Sequence, residues 1–213
     1  MAVPADGVIS QRPANINDQQ AAALPVGAST ALHFLRKADI KPAQKVLIYG
    51  ASGSVGTYAV QLAKYFGATV TAVCSQSNAD LVRSLGADKV VDYRREDFTK
   101  NAEKFDVIFD TVGKTTYSKA KRVLNSAGVY LTVAMSISLM LHSALNALSK
   151  RHQLISGVAK LTVEELQFLT NLLETGTLKP VIEHTYPFSE IREAHRHAET
   201  GHKRGNLVLS FTS

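Results

Sequence analysis

A glycine-rich turn between an apolar run and a helix-period segment constrains this chain more than any other feature. The run at 46–49 leads into Gly50-Ala51-Ser52-Gly53-Ser54-Val55-Gly56, and apolar positions then recur at helical spacing to about residue 64. Glycines let a backbone turn tightly and approach a pyrophosphate, and a helix N-terminus offers free N–H groups. The spacing is G-x-x-G-x-x-G, and the strand before it and the helix after it favour a phosphate-binding turn. The alternative is a strand–helix turn that holds no ligand.

Strand-like runs alternate with helix-period segments from about residue 44 onward. The pattern predicts strands at 45–49, 69–74, 89–92, 106–110, 128–133 and 153–157, and helices at 55–66, 78–85, 114–122 and 139–149. The strand runs are continuously apolar, as in strands that are buried on both faces. This order predicts an α/β fold, a doubly wound parallel sheet (Rossmann fold) with helices on both faces.

The C-terminal part follows a different pattern. Thr162 with Glu165 three residues later is typical of a capping box, and predicts a helix that ends at Gly176. Ser189 is expected to cap a further helix, and residues 206–211 to form a last strand. The chain should therefore end in a strand–helix–strand segment.

Composition excludes several classes of function. Cys74 is the only cysteine, so an internal disulfide or a Cys-rich zinc site is impossible, and the seven histidines lack metal-ligand spacing. The net charge of +6 comes from scattered Lys and Arg, which predicts a solvated basic surface and no nucleic-acid partner. No apolar run is long enough to span a bilayer, and the first residues lack the features of a signal peptide. The expected location is cytoplasmic.

Several short segments, taken in order, resemble one enzyme family. They are residues 23–31, 46–56, 85–88, 91–94, 105–113, 178–182, 194–195 and 201–206. In this order they are similar to the cofactor-binding half of zinc-independent medium-chain dehydrogenases/reductases of the quinone oxidoreductase branch. The family's β-rich catalytic domain is not seen in this sequence, and Asn206 stands where the family usually has Lys.

The resemblance implies a division of the chain into three parts. Residues 1–10 would be the remnant of a preceding catalytic domain. Residues 11–178 would form the dinucleotide-binding domain, and residues 179–213 would return toward the catalytic domain.

The cofactor choice rests on the end of the second predicted strand. NAD-binding sites usually place an acidic residue about 20 residues beyond the turn. Residues 73–78 contain none, and Ser75 and Ser77 can donate hydrogen bonds to a 2′-phosphate. The resemblance implies that Tyr93 reaches the same phosphate. The sequence therefore favours NADP (NADPH) over NAD, although Ser75 could only cap a helix and Tyr93 could only be a strand aromatic.

The residues expected near the cofactor come from the turn, the strand ends and the last strand. Thr30 is included by resemblance, and could equally be an ordinary helix residue. No catalytic residue can be named, and Cys74 is expected to be buried. The candidate cofactor-binding residues are Thr30, Gly50, Ser52, Gly53, Ser54, Val55, Gly56, Ser75, Ser77, Tyr93, Thr111, Val112, Val133, Ala134 and Asn206.

The resemblance implies an NADPH-dependent oxidoreductase that transfers hydride to a small quinone, enone or carbonyl substrate. The alternative is a non-catalytic dinucleotide-binding or interaction module. A zinc-containing, NAD-linked alcohol dehydrogenase is disfavoured by the single cysteine. A homodimer is expected through the uncharged edge strand from Gln153 to Val158, because an exposed edge can pair with a second copy.

Overall fold

The computed structural model describes residues 7–100, 102–134 and 152–211, which form a parallel sheet covered by helices. In chain order the elements are α1 (Asp18–Lys37), β1 (Lys45–Tyr49), α2 (Ser54–Tyr65), β2 (Thr69–Cys74), α3 (Ala79–Ser84), β3 (Lys89–Asp92), β4 (Phe105–Asp110), α4 (Tyr117–Ala120), β5 (Leu124–Thr132), β6 (Gln153–Ser156), α5 (Val163–Glu174), β7 (Ile182–Pro187), α6 (Ile191–Glu199) and β8 (Asn206–Ser210). The predicted α/β class is confirmed.

The main sheet has six strands in the order β3-β2-β1-β4-β5-β6, and all neighbouring pairs are parallel. In its centre Ile48 of β1 lies opposite Ala72 on one side and Phe109 on the other. The chain leaves β1 toward β2 and later returns to β4 on the opposite side. A crevice forms where the strand order reverses, at the carboxyl ends of β1 and β4.

Successive residues of β1 face two different hydrophobic cores. Val46 and Ile48 belong to the core beneath α1, α2 and α5, whereas Leu47 faces the second core, which includes Tyr117 of α4. All three β1 residues are fully buried, at 0% exposure. Burying one such side chain contributes about 2 kcal/mol of transfer free energy. The continuous apolar pattern therefore follows from burial on both faces.

Helix α1 is the main element that the sequence pattern did not predict. It has 20 residues with Pro25 inside it, and its apolar positions include several small residues, which weakens the helical signal. Its N-terminus was detectable: the Asn17 side chain accepts from the Gln20 N–H, and the Gln20 side chain accepts from the Asn17 N–H. This capping box begins a helix that packs against α2.

Other elements differ from the predictions at their ends. The helix predicted at 114–122 is only the short α4, and β5 begins at Leu124, four residues earlier than expected, with a register shift opposite β4. Ser189 does not cap α6: it lies in a 3₁₀ turn, Phe188–Glu190, and α6 begins after Glu190. The capping box of Thr162 is confirmed. The helix predicted at 139–149 lies outside the described residues.

The C-terminal strand–helix–strand segment is confirmed. Strands β7 and β8 form a separate parallel pair connected by α6. Gly205, just before β8, donates its N–H to the Ser52 carbonyl at 2.8 Å, and it forms a parallel bridge with Gly53. This contact fastens the C-terminal segment to the glycine-rich turn. No helix in the described ranges combines the length and the apolar character needed to cross a membrane.

Candidate nucleotide-binding cleft

A cleft of about 440 Å³ lies at the carboxyl ends of β1, β2 and β3. Residues of the glycine-rich turn and of the C-terminal segment both line it. Seven of the candidate cofactor-binding residues line it. The described residues that line it are Tyr49, Gly50, Ser52, Gly53, Cys74, Ser75, Ser77, Asn78, Tyr93, Arg94, Val112, Lys114, Glu183, Gly201, His202, Lys203 and Arg204.

The first glycine of the turn is required by the backbone and by its neighbours. Gly50 has φ of +81°, a left-handed conformation that side chains rarely adopt. Its N–H donates to the carbonyl of Val73 at 3.0 Å, which ties the turn to the end of β2. A Cβ on Gly50 would lie 2.7 Å from Cγ1 of Val112. The loops after β1 and β4 therefore meet at this residue.

The second and third glycines serve different purposes. A Cβ on Gly56 would lie 2.1 Å from the carbonyl oxygen of Gly50, so packing against the turn excludes any side chain there. A Cβ on Gly53 would meet only that same oxygen, at 3.5 Å, and the Gly53 backbone is in the ordinary extended region. Packing therefore does not require glycine at 53. Gly53 lines the cleft at the N-terminus of α2, where backbone N–H groups are available to an anion.

A chain of hydrogen bonds links the turn to the end of β2. The side-chain amide of Asn78 donates to the Oγ atoms of Ser52, at 3.0 Å, and of Ser75, at 3.2 Å. The Oγ atoms of Ser75 and Ser77 lie 2.9 Å apart. Tyr93, 43% exposed, stands at the cleft after β3. The structure thus brings Ser75, Ser77 and Tyr93 into the lining of one cleft.

Positively charged side chains also line this cleft, and sequence reasoning did not select them as site residues. Four of the lining residues are Lys or Arg, and they come from three separate segments: Arg94, Lys114, Lys203 and Arg204. Among the described residues, Glu183 is the only acidic one in the lining. The adjacent pair Lys203-Arg204 was an available signal, because the other Lys and Arg residues of the C-terminal segment stand singly in the sequence. The cleft is suited to an anion.

Lys203 is partly withdrawn from solvent within this group. Burial lowers the pKa of its ammonium group, although the nearby Glu183 carboxylate acts to raise it. Its Nζ donates to the Gly205 carbonyl at 2.6 Å. This bond holds the side chain against the loop that precedes β8.

Asp110 shapes the far side of the cleft without lining it. The residue is fully buried, and burial raises the pKa of its carboxyl group, while hydrogen bonds from backbone N–H groups act to lower it. The carboxylate accepts from the N–H groups of Val112 at 3.0 Å, Gly113 at 2.8 Å and Thr115 at 2.9 Å. These bonds fix the loop that carries Val112 into the cleft.

Eight of the candidate residues do not line the cleft. The hydroxyl of Thr30 donates to the Val26 carbonyl of its own helix at 2.7 Å, and that of Thr111 donates to the Tyr49 carbonyl at 2.8 Å. Ala134 lies against Gly113, where a Cβ would approach the Ala134 Cβ to 2.7 Å. The remaining candidates that do not line the cleft are Ser54, Val55, Gly56, Val133 and Asn206.

The side chains of Ser54 and Asn206 form hydrogen bonds within the protein. The Ser54 hydroxyl lies 2.5 Å from Oδ1 of Asn206, and the Asn206 amide donates to the Val181 carbonyl at 3.0 Å. Both polar ends of the Asn206 side chain are therefore occupied by protein groups.

Cys74 lines the cleft but is 2% exposed, and burial raises the pKa of its thiol to about 11. It is therefore a thiol at neutral pH and a poor nucleophile. Within residues 7–100, 102–134 and 152–211, no three His, Cys, Asp or Glu side chains gather as a metal site would require.

The fold and the cleft together define a Rossmann-type α/β protein. A family model described as zinc-binding dehydrogenase matches residues 85–209, which is more than half of the chain. The chain belongs to this family, part of the medium-chain dehydrogenases/reductases.

Comparisons with individual proteins support the same family assignment. The chain is 35% identical over 235 residues to the mitochondrial NAD(P)H oxidoreductase RTN4IP1 of Bos taurus, covering 95% of this chain and 58% of that protein. It is 32% identical over 206 residues to a chloroplastic NADPH-dependent alkenal/one oxidoreductase of Arabidopsis thaliana, covering 95% and 50%. The quinone oxidoreductase structure from Coxiella burnetii superposes with a TM-score of 0.86 and 31% identity, covering 94% and 63%. The chain thus spans about half to three fifths of each of these proteins.

The cytoplasmic location expected from the sequence is wrong. The names of the Bos taurus and Arabidopsis thaliana relatives place those proteins in mitochondria and chloroplasts. That expectation rested on the amino-acid composition and on the first residues of the sequence, and these relatives overturn it.

Proposed function

We propose that this chain is the NADPH-binding part of an oxidoreductase that reduces small quinones, enones or other carbonyl compounds. The observation that carries the proposal is the cleft itself, where an open position at Gly53 lies beside hydroxyls and four cationic side chains. The names of the relatives support the reaction class, because they include NAD(P)H, quinone and alkenal/one oxidoreductases.

The pyrophosphate would lie beside Gly53. A side chain there would occupy the space that the cleft leaves beside the turn. The first N–H groups of α2 have no carbonyl one turn earlier in the helix, so they can bind phosphate oxygens. The tight contact of Gly56 with Gly50 holds the helix close enough for this to occur.

The adenosine 2′-phosphate would lie between Ser75, Ser77 and Tyr93. Hydroxyl groups can donate to phosphate, and Arg94 nearby adds a positive charge. A carboxylate that binds the ribose of NAD would repel this phosphate. Glu183, the acidic lining residue, forms an ion pair with Arg204. The arrangement therefore favours NADPH over NADH.

The nicotinamide end would lie along the carboxyl ends of β4 and β5. Val112 and Ala134 offer small apolar contacts there, and Thr30, Thr111 and Val133 lie behind them in this proposal. A bound dihydronicotinamide supplies the hydride, while the protein orients it and limits access of water.

Calorimetric titration of the folded chain with NADPH and with NADH tests the cofactor assignment. We expect NADPH to bind at least 10-fold more tightly. A preference for NADH would show that the 2′-phosphate site is misassigned, and failure to bind either would contradict the nucleotide site. A protein that joins this chain to the remaining domain of a relative provides the second test. If it binds NADPH but reduces no quinone, enone or other carbonyl compound, the non-catalytic binding module is favoured.

A further inference from the structure

We propose that Arg204, held in place by Glu183, is a specificity-determining residue that binds the 2′-phosphate together with Ser75 and Ser77. This inference rests on the proposed function, and it assigns cofactor choice in part to the C-terminal segment. The residues come from β7 and from the loop before β8, more than 100 positions after the turn.

Glu183 orients Arg204 through two contacts. The Arg204 backbone N–H donates to Oε2 of Glu183 at 2.8 Å, and Nε of Arg204 lies 3.3 Å from Oε1. The Glu183 side chain is only 18% exposed, whereas that of Arg204 is 54% exposed. Because these contacts use the backbone N–H and Nε, the terminal nitrogens of the guanidinium remain to form a two-pronged contact with phosphate.

The carboxylate of Glu183 is itself fixed from a second side. Nε2 of His197, on α6, lies 3.2 Å from Oε2 of Glu183, and Nδ1 of His197 lies 2.9 Å from the Tyr186 hydroxyl. Glu183 is thus anchored between a helix and a strand. A charged side chain anchored in this way gives Arg204 a defined direction and lowers the entropy lost on binding.

The loop is also fastened to the phosphate-binding turn. Gly205 donates to the Ser52 carbonyl, and the same Ser52 accepts through its hydroxyl from Asn78. A continuous set of hydrogen bonds therefore runs from the Arg204 loop to Ser75. Arg204, Ser75 and Ser77 all line one cleft.

The pairing also explains how a cleft that contains a carboxylate can accept a phosphate. An unpaired Glu183 would favour a ribose hydroxyl and repel the 2′-phosphate. Paired with Arg204, it contributes little net charge, and Arg94, Lys114 and Lys203 leave the cleft positive. Arg204 thereby changes which cofactor the cleft prefers, and does not simply add affinity for any nucleotide.

The test measures binding of four nucleotides by calorimetry: NADPH, NADH, 2′,5′-ADP and 5′-ADP. Arg204→Gln is compared with Arg196→Gln, which removes the same charge from an exposed α6 residue that pairs with Glu193 outside the cleft. Loss of a charge-assisted contact should weaken NADPH and 2′,5′-ADP by about 10- to 100-fold. NADH and 5′-ADP should change less than about 2-fold, and Arg196→Gln should change none of them.

Arg204→Lys provides a second variant that preserves charge. It should recover part of the NADPH affinity, because Lys lacks the two-pronged geometry. An equal loss for all four nucleotides in Arg204→Gln would place Arg204 at the shared diphosphate and overturn the inference, as would no change at all. If the wild-type chain binds none of the four, the proposed function fails. If it prefers NADPH and Arg204→Gln keeps that preference, only this inference fails.

Discussion

The hydroxyl of Ser54, the first residue of α2, lies 2.5 Å from Oδ1 of Asn206, the first residue of β8. The two residues are 152 positions apart in the sequence. Their contact joins the phosphate-binding helix to the C-terminal strand pair. It also occupies both residues with protein partners, although each was a candidate cofactor ligand from the sequence.

Asn206→Ala should therefore affect folding more than nucleotide binding. We expect a loss of about 1 kcal/mol in the free energy of unfolding, because Ser54 and the Val181 carbonyl lose a partner. Ser54→Ala should cost a similar amount, and the double variant less than the sum, because the two residues share one contact. Urea unfolding measures these values. A large loss of NADPH affinity with unchanged stability would instead show that Asn206 binds the cofactor directly.

Gly53 and Gly56 give a matched pair of substitutions in one turn. Gly53→Val should lower the melting temperature far less than Gly56→Ala, because a Cβ at residue 53 would meet only the Gly50 carbonyl oxygen, at an ordinary contact distance of 3.5 Å, and the backbone there is extended. It should abolish NADPH binding by occupying the pyrophosphate space. Gly56→Ala should instead destabilise the fold, since its Cβ would collide with the Gly50 carbonyl. Thermal melting and calorimetry distinguish the two. Undiminished binding by Gly53→Val would show that phosphate lies elsewhere.

Asp110→Asn should loosen the loop after β4. The carboxylate accepts from Val112 and Gly113 through one oxygen and from Thr115 through the other. An amide nitrogen can replace only one of these oxygens, so at least one N–H loses its acceptor. We expect a cost of about 1–3 kcal/mol in the free energy of unfolding. Weaker NADPH binding should accompany it, because Val112 lines the cleft. Denaturant unfolding that matches wild type would rule out this role.

Asp88 should make stability depend on pH. Although partial burial acts to raise it, hydrogen bonds from Lys64 and from the Val70 N–H hold the pKa of Asp88 below its ordinary value. A carboxyl with a lowered folded-state pKa stabilises the fold above its unfolded pKa, about 3.9, and that contribution disappears as pH falls through the folded-state pKa. Asp88→Asn should thus destabilise the protein at pH 7 and much less near pH 2.

The size of this effect is limited by exposure. The side chains of Lys64 and Asp88 are 35% and 42% exposed, so solvent screens the pair and we expect about 0.5–1 kcal/mol at pH 7. Asp80→Asn is the control, because Asp80 is fully exposed and pairs only with Arg83 on its own helix. Urea unfolding at pH 7 and at low pH measures both variants. Equal destabilisation by Asp88→Asn at the two pH values would contradict the assignment.

The sequence predicted those features that depend on local pattern. Strands β1, β2 and β3 have the bounds that their apolar runs indicated, and the glycine spacing located the turn, because a strand, a tight turn and a helix must follow one another there. Helix α1 was missed because Pro25 and its small residues weaken the helical period. Arg204 and Glu183 were missed for a different reason. Their meeting depends on how β7 and the loop before β8 are placed, and no local spacing encodes it.

We predict that two copies of the chain associate through β6. In the part of the sheet that the structure describes, β6 is the last strand, and Gln153 to Val158 carry no charge. Such an edge offers backbone groups for pairing, and a two-fold axis would bring the same strand of a second copy antiparallel to it. We expect light scattering at tens of micromolar to give the mass of two chains.

Ser156→Lys should shift this equilibrium toward the single chain. The Ser156 side chain is exposed on β6, so the fold should tolerate lysine, while two like charges would face each other near the two-fold axis. Ser84→Lys makes the same chemical change at an exposed position at the end of α3, and should leave the mass unchanged. A wild-type chain that scatters as a monodisperse monomer would exclude the dimer. A dimer that persists in Ser156→Lys would place its interface on another surface.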